Sequence, residues 1–228
     1  MKSLLILVLC FEVVSGCNAA SAKASLCPGQ QYVDVLVADP PTTKQICEAA
    51  ALAVDFLCQF GIRPKRSIQI EVIEEQIAHS GYSAYGSYDS KNDRIRLMSF
   101  AAIHAQIRNP QMYGEPLDVV HYIGVIAHEV AHAVVQHNLH TKLVSPVPQE
   151  YLAYATQFAV LPVERRNRIV KKMNVTAWES GDVISDIYLG FEPGKFAAKS
   201  YLHLIQMPDP NPFIAILLNA KWYYVYVP

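Results

Sequence analysis

The chain is short of charge. Only 17% of its 228 residues are Asp, Glu, Lys or Arg, and the formal net charge is −1. A balance this even gives no long-range field for drawing in nucleic acid or an anionic membrane. There is no internal repeat and no low-complexity segment, so solenoids and disordered tails are excluded as the main architecture. No uninterrupted apolar run reaches the eighteen or so residues that a membrane-spanning helix needs. What remains is a 52% apolar sequence, long enough for one cored domain.

The longest early apolar run is Leu4–Phe11, after Lys2 and extended by Val13-Val14, with Glu12 inside it. Its length and charged start read as a secretory signal. Two endings compete. "VSGC" at Val14–Cys17 resembles the lipobox of bacterial lipoproteins and would make Cys17 a lipidated first residue, attaching the protein to a membrane. "ASA" at Ala20–Ala22 suits cleavage after small residues. Either way the reading is a signal over residues 1–22, one domain over 23–228, and export to a bacterial periplasm or envelope.

Export places Cys27, Cys47 and Cys58 where disulfides persist. Cys47 and Cys58 stand eleven residues apart on one predicted helix, roughly 16 Å, well beyond the Cα separation of about 7 Å that a disulfide tolerates. A strand over Tyr32–Asp39 carries the chain about 23 Å from Cys27, and a helix starting at Thr42 returns a similar distance. The expected bridge is therefore Cys27–Cys58, with Cys47 a reduced core residue.

Strand-like alternation marks Tyr32–Asp39, Ser67–Ile73 and a hairpin over Tyr85–Ser99 whose turn is Ser90–Asp93. Helical stripes follow at Phe100–Ile107, from Pro116 through the apolar "VIAHEVAHAVVQ", from Pro148 to about Leu161, and at Val163–Met173, Gly181–Leu189 and Lys195–Gln206. The tail from Phe213 reads as a helix turn or strand on the core. Strands gather in the first half and helices in the second, an α+β pattern.

The apolar helix contains ionisable residues that need partners, because burying an unpaired charge is costly. His128 and His132 are four apart and share a face, the spacing with which two imidazoles hold one zinc ion. Glu129 completes His-Glu-x-x-His, in which the carboxylate serves as general base. Val135 and Asn138 occupy the positions where a metzincin carries Gly and His, which excludes that class. Glu150, eighteen residues past His132 at the start of the next predicted helix, is the expected third ligand. His137 and His140 lie at the helix C-terminus, where imidazolium is favourable. His121 reads as a satisfied histidine near the helix start, and Tyr82, Tyr85 and Tyr88 as packing residues.

The pentad His128–His132 followed by Glu150-Tyr151-Leu152-Ala153-Tyr154 resembles the gluzincin, peptidase MA-like arrangement, with Tyr151 where that pattern carries Gly. The hairpin before the pentad resembles the one preceding the zinc helix in that group, and the resemblance covers Ser67 to Leu161. It implies a zincin-like α+β fold, a Zn2+ cofactor and hydrolysis of peptide bonds by a zinc-activated water, with Glu129 as general base. It further implies a Tyr or His that stabilises the oxyanion, for which Tyr188, Tyr201 and His203 lie late enough in the chain. The partner it implies is a peptide or protein substrate extended along the hairpin edge. A non-catalytic zincin-fold binding protein of the envelope stays open as the alternative.

Overall fold

The computed structural model describes residues 24–29, 31–36, 39–79 and 82–227. Cys10, Cys17 and both candidate signal endings lie outside them.

Alternating apolar residues build the sheet. Strands β1 (Ala24–Leu26), β2 (Val33–Leu36) and β3 (Ile68–Ile73) are followed by a two-stranded ribbon, β4 (Ile77–His79) and β5 (Tyr82–Ala84). Then comes the expected hairpin, β6 (Gly86–Asp89) and β7 (Arg94–Met98). The main sheet has the order β1-β2-β3-β7-β6, parallel in its middle and antiparallel at both ends. Val33, Val35, Ile68, Ile70, Ile95 and Leu97 are fully buried on one face. The other face is polar, with Arg94 beside Gln69 and Glu71. A sheet that buries one face needs a helical layer on it. Helix α1 (Pro40–Cys58) supplies part of that layer as the crossover between parallel β2 and β3.

Helix α2 (Phe100–Gln106) starts at the Ser99 cap. A ribbon follows, β8 (Gln111–Met112) with β9 (Glu115–Pro116), turning at Tyr113 and Gly114, both at positive φ. Pro116 is held in this ribbon, so helix α3 (Val119–Gln136) begins three residues later than its proline suggests. Asp118 caps it by accepting from the His121 N–H. Twelve of the eighteen residues of α3 are buried, because the helix lies between the sheet and α1 on one side and helix α4 (Val147–Ala159) on the other. Gly124 permits the close crossing: a Cβ there would stand 3.2 Å from Gln157 Cγ. Pro148 sits in the first turn of α4, as its position suggests.

Helices α5 (Val163–Met173), α6 (Asp186–Phe191), α7 (Pro193–Gln206) and α8 (Asn211–Asn219) complete the second half. The helix expected over Gly181–Leu189 is instead a short strand, β10 (Val183–Ser185), leading into α6. It pairs with β11 (Tyr224–Tyr226) near the chain's end, a contact that local periodicity does not encode.

The expected Cys27–Cys58 bridge is not formed. Cys27 is joined to Cys47, with Cα atoms 5.3 Å apart, and Cys58 is a free, half-buried thiol. Two lengths account for the difference. Among the described residues, the paired part of β2 has four residues rather than eight. Helix α1 starts at Pro40 on an Asp39 cap rather than at Thr42. Cys47 is thus two turns into the helix, about 10 Å, and has already returned to the start of β2, where the Cys27 N–H donates to the Val33 carbonyl. Cys58 overshoots.

A charged knot fixes the hairpin. The Asp93 carboxylate, in the β6–β7 turn at positive φ, accepts from the Tyr88 hydroxyl (2.6 Å), pairs with Arg66 and contacts His137 Nε2 at 3.0 Å. His137 Nδ1 accepts from the Lys65 N–H, so the ring donates from Nε2 to Asp93.

Two outcomes follow from this scaffold. A non-reducing peptide map should join Cys27 to Cys47, a bond spanning 20 residues, and Cys47→Ala should cost about 3 kcal/mol in denaturant unfolding, with Cys58→Ser near neutral. Second, the Arg165 guanidinium, assisted by the His121 N–H against partial burial, lowers the Asp118 carboxyl from 3.8 to about 2. Its stabilisation is complete above the unfolded value and disappears as pH falls from about 4 to about 2. Asp118→Asn should remove that acid-dependent component from pH-dependent unfolding curves. Asp118→Ala should also lose the cap, about 1 kcal/mol at neutral pH.

Candidate metal centre

Helix α3 presents His128 and His132 on the face toward α4, with their Nε2 atoms 3.0 Å apart. Glu150, in the first turn of α4, places Oε2 at 3.5 Å from His128 Nε2 and Oε1 at 3.5 Å from His132 Nε2. One ligand atom from each of the three residues lies within 4.8 Å of the others. Two nitrogens bound to one tetrahedral zinc at about 2.0–2.1 Å would stand roughly 3.3 Å apart. The spacing and the two-imidazole, one-carboxylate donor set therefore fit such an ion.

The electrostatics point the same way. Burial pushes the His132 imidazole down to about 4, so it stays neutral with a lone pair available. Burial opposes charge on His128 too, but the Glu150 carboxylate outweighs it and raises that ring's affinity for a proton. His128 Nδ1 is buried with no hydrogen-bond partner among the described residues.

Glu129 lies on the adjoining edge of α3, against strand β6. Burial raises its carboxyl to about 7, with the His128 charge opposing and the Glu150 charge adding to the rise. The Tyr88 backbone N–H donates to it. The ladder explains why that donor is free: Met98 N–H bonds the Tyr85 carbonyl, so antiparallel alternation turns the backbone groups of Gly86 and Tyr88 away from β7. Gly86 is needed for the approach, because a Cβ there would stand 2.7 Å from Glu129 Cγ and 2.9 Å from Leu97 Cδ2.

These groups open on a cleft. A cavity of about 430 Å³ is bounded by Ser87, Tyr88, Glu129, His132, Glu150 and Tyr154. At one end a pocket of about 140 Å³ continues past His128 between Tyr85, Met112, Val125 and Gln157. The Tyr85 hydroxyl bonds both backbone groups of Gln111, closing that end with the β8–β9 ribbon.

Residues 33–226 match a family of unknown function, DUF6639. The chain belongs to that family. The match runs from β2 to β11 and includes every residue of the centre. No curated protein and no solved structure matches the chain.

In this family member, the structure brings together His128, Glu129, His132 and Glu150 as the sequence spacing suggests. It does not bring Tyr188, Tyr201 or His203 to them. Tyr188 packs against Trp178, Tyr201 stacks on Phe158 under Arg166, and His203 is bonded to the Tyr151 hydroxyl at 2.8 Å. None of the three lines the cleft. Tyr85, Tyr88 and Tyr154 do, and of these it is Tyr154 whose ring packs on His128 at 4.5 Å and whose hydroxyl is held protonated by burial and by Glu150 and Glu129. It stands four residues after Glu150, one helical turn along the same face, a signal the sequence did contain. Gly86 was legible too, as a glycine inside a strand pattern.

Gly86→Ala should displace Glu129 while sparing the histidines. The overpacking should cost about 1–3 kcal/mol in thermal or denaturant unfolding, and divalent-metal affinity should stay within a few-fold of wild type. A large loss of metal affinity would show that Gly86 supports the ligands rather than Glu129.

Proposed function

We propose that this protein is an exported zinc-dependent peptidase of zincin-like architecture. The observation that carries the reading is the convergence of His128, His132 and Glu150, from two crossing helices, beside a buried carboxylate that faces a free strand edge. His128, His132 and Glu150 would hold the ion at the floor of the cleft. When bound, zinc supplies a Lewis acid and acidifies water in its vicinity.

The chain's own residues supply the rest. Strand β6 offers the outward backbone groups of Gly86 to an extended peptide, as in β-strand addition. Glu129, raised toward neutrality and steadied by the Tyr88 N–H, accepts the proton of the attacking water and returns it to the departing amine. Tyr154, protonated and seated over His128, is placed to donate to an oxygen that gains charge in the cleft. The 140 Å³ end pocket has apolar side walls in Met112 and Val125 and, besides His128 and Glu129, no cationic or carboxylate side chain among its lining residues. It suits an apolar side chain better than a charged chain terminus.

Export accords with the Cys27–Cys47 disulfide, since such bonds persist in oxidising compartments, and with the N-terminal apolar run. Among the described residues no helix is long and apolar enough to cross a membrane. Any membrane attachment would rest on Cys17, which lies outside them.

The test is metal analysis combined with hydrolysis of a peptide library. One zinc per chain is expected. Glu129→Gln should retain zinc and lose roughly 10²–10⁴-fold in rate. Glu150→Ala should weaken zinc by more than the roughly 10–100-fold that a change outside the ligand set costs. Zinc bound without hydrolysis of any peptide would make the protein a binding module. No zinc uptake would remove the reading.

A further inference from the structure

The cleft does not end where the metal centre does. Beyond it lies a cavity of about 670 Å³, walled by the α3–α4 loop. Ser90, Pro146 and Gln149 line both this cavity and the one holding Glu129, so the two adjoin. Strand β6 points into it: the strand runs from Gly86, beside the small end pocket, to Asp89, and Ser90 follows at the cavity wall.

Its charge is one-sided. Of the residues lining it, only His140 and Lys142 can be charged, both positively, and no carboxylate is among them. Both side chains are exposed. Lys142 has no ion pair or hydrogen bond among the described residues. Asp186, the first residue of α6, accepts from the Ser145 hydroxyl at 2.8 Å. The opposite end of the cleft has no ionisable wall beyond the tyrosines, His128 and Glu129. The cleft is therefore polar at one end in the sense of charge, as well as unequal in size.

We propose that this cavity is a subsite for acidic residues of an extended polypeptide, with Lys142 as its principal specificity-determining residue and His140 as a second donor. The occupant's class rests on the peptidase reading; the charge preference rests on the cavity. At roughly 3.3 Å per residue along β6, the acidic side chains would sit about two to four residues from the bond at the centre, on one side of it only. Exposed charges at such a site act through encounter and KM more than through turnover, and salt screens them.

The experiment uses the zinc-loaded full chain and three fluorogenic peptides of one apolar core sequence. One carries two Glu residues upstream of the core, one carries them downstream, and one carries Gln in their place. A single acidic placement should be preferred, by about three- to ten-fold in kcat/KM, mainly through KM. The preference should shrink at high salt and vanish or reverse in Lys142→Glu. Fluorescence anisotropy of the same peptides on zinc-loaded Glu129→Gln protein gives a readout that needs no turnover. If wild type cleaves nothing but the acid preference and its dependence on Lys142 are seen in binding, the subsite stands and the peptidase reading falls. Equal treatment of the three peptides, equal gain from both placements, no effect of Lys142→Glu, or no binding of any peptide overturns the subsite.

Discussion

The crossing of α3 over α4 inside the core is the constraint on which the rest depends. Two imidazoles and a carboxylate are held almost in contact at the floor of a cleft, largely out of water, and such a cluster is most easily tolerated when a cation or proton neutralises it. Gly124 sets how closely the helices approach. Glu150 reaches both rings because α4 begins at Val147, and Pro148 fixes that beginning. The sheet, α1 and α7 chiefly enclose this crossing.

What could be read ahead of the structure was what repeats locally. The His-Glu-x-x-His pentad declares its face by helical spacing alone, and Glu150 was reachable because a proline-bounded loop had to bring the next helix back. The hairpin over Gly86–Met98 announced itself by alternation around a polar turn. The failures share one physical cause, dependence on partners distant in sequence. Strand β10 exists only because β11 pairs with it. The Pro116 start was lost to a ribbon closed by Tyr85 and Gln111. The disulfide was misassigned because a strand's paired length is set by its neighbours: β1 and β3 hold only four residues of β2, which shortened the excursion that the helix had to retrace. The three residues chosen for oxyanion duty had no motif behind them, and each is occupied with packing elsewhere.

The two walls of the cleft come from differently built parts. One is an α-helix whose side chains are fixed by the core. The other is an edge strand whose contribution is backbone. Edge strands are usually shielded against unwanted pairing; β6 is instead kept short and set beside a helix that occupies the Tyr88 N–H with Glu129. The remaining outward groups face the cleft rather than open solvent.

The knot around Asp93 has a consequence for strand registry. Sliding β6 by one residue along β7 would exchange its two faces. Ser87 would then meet Glu129 with a side chain where Gly86 has none, and the donor that steadies the carboxylate would turn into the sheet. Nothing in the backbone ladder by itself forbids such a slip. The Asp93 carboxylate does, because it ties the turn at once to its own strand through Tyr88, to the loop before β3 through Arg66, and to the C-terminal end of α3 through His137. A cluster of ordinary hairpin-turn charges thus acts as an index mark, setting which peptide group of the strand stands opposite which turn of the helix.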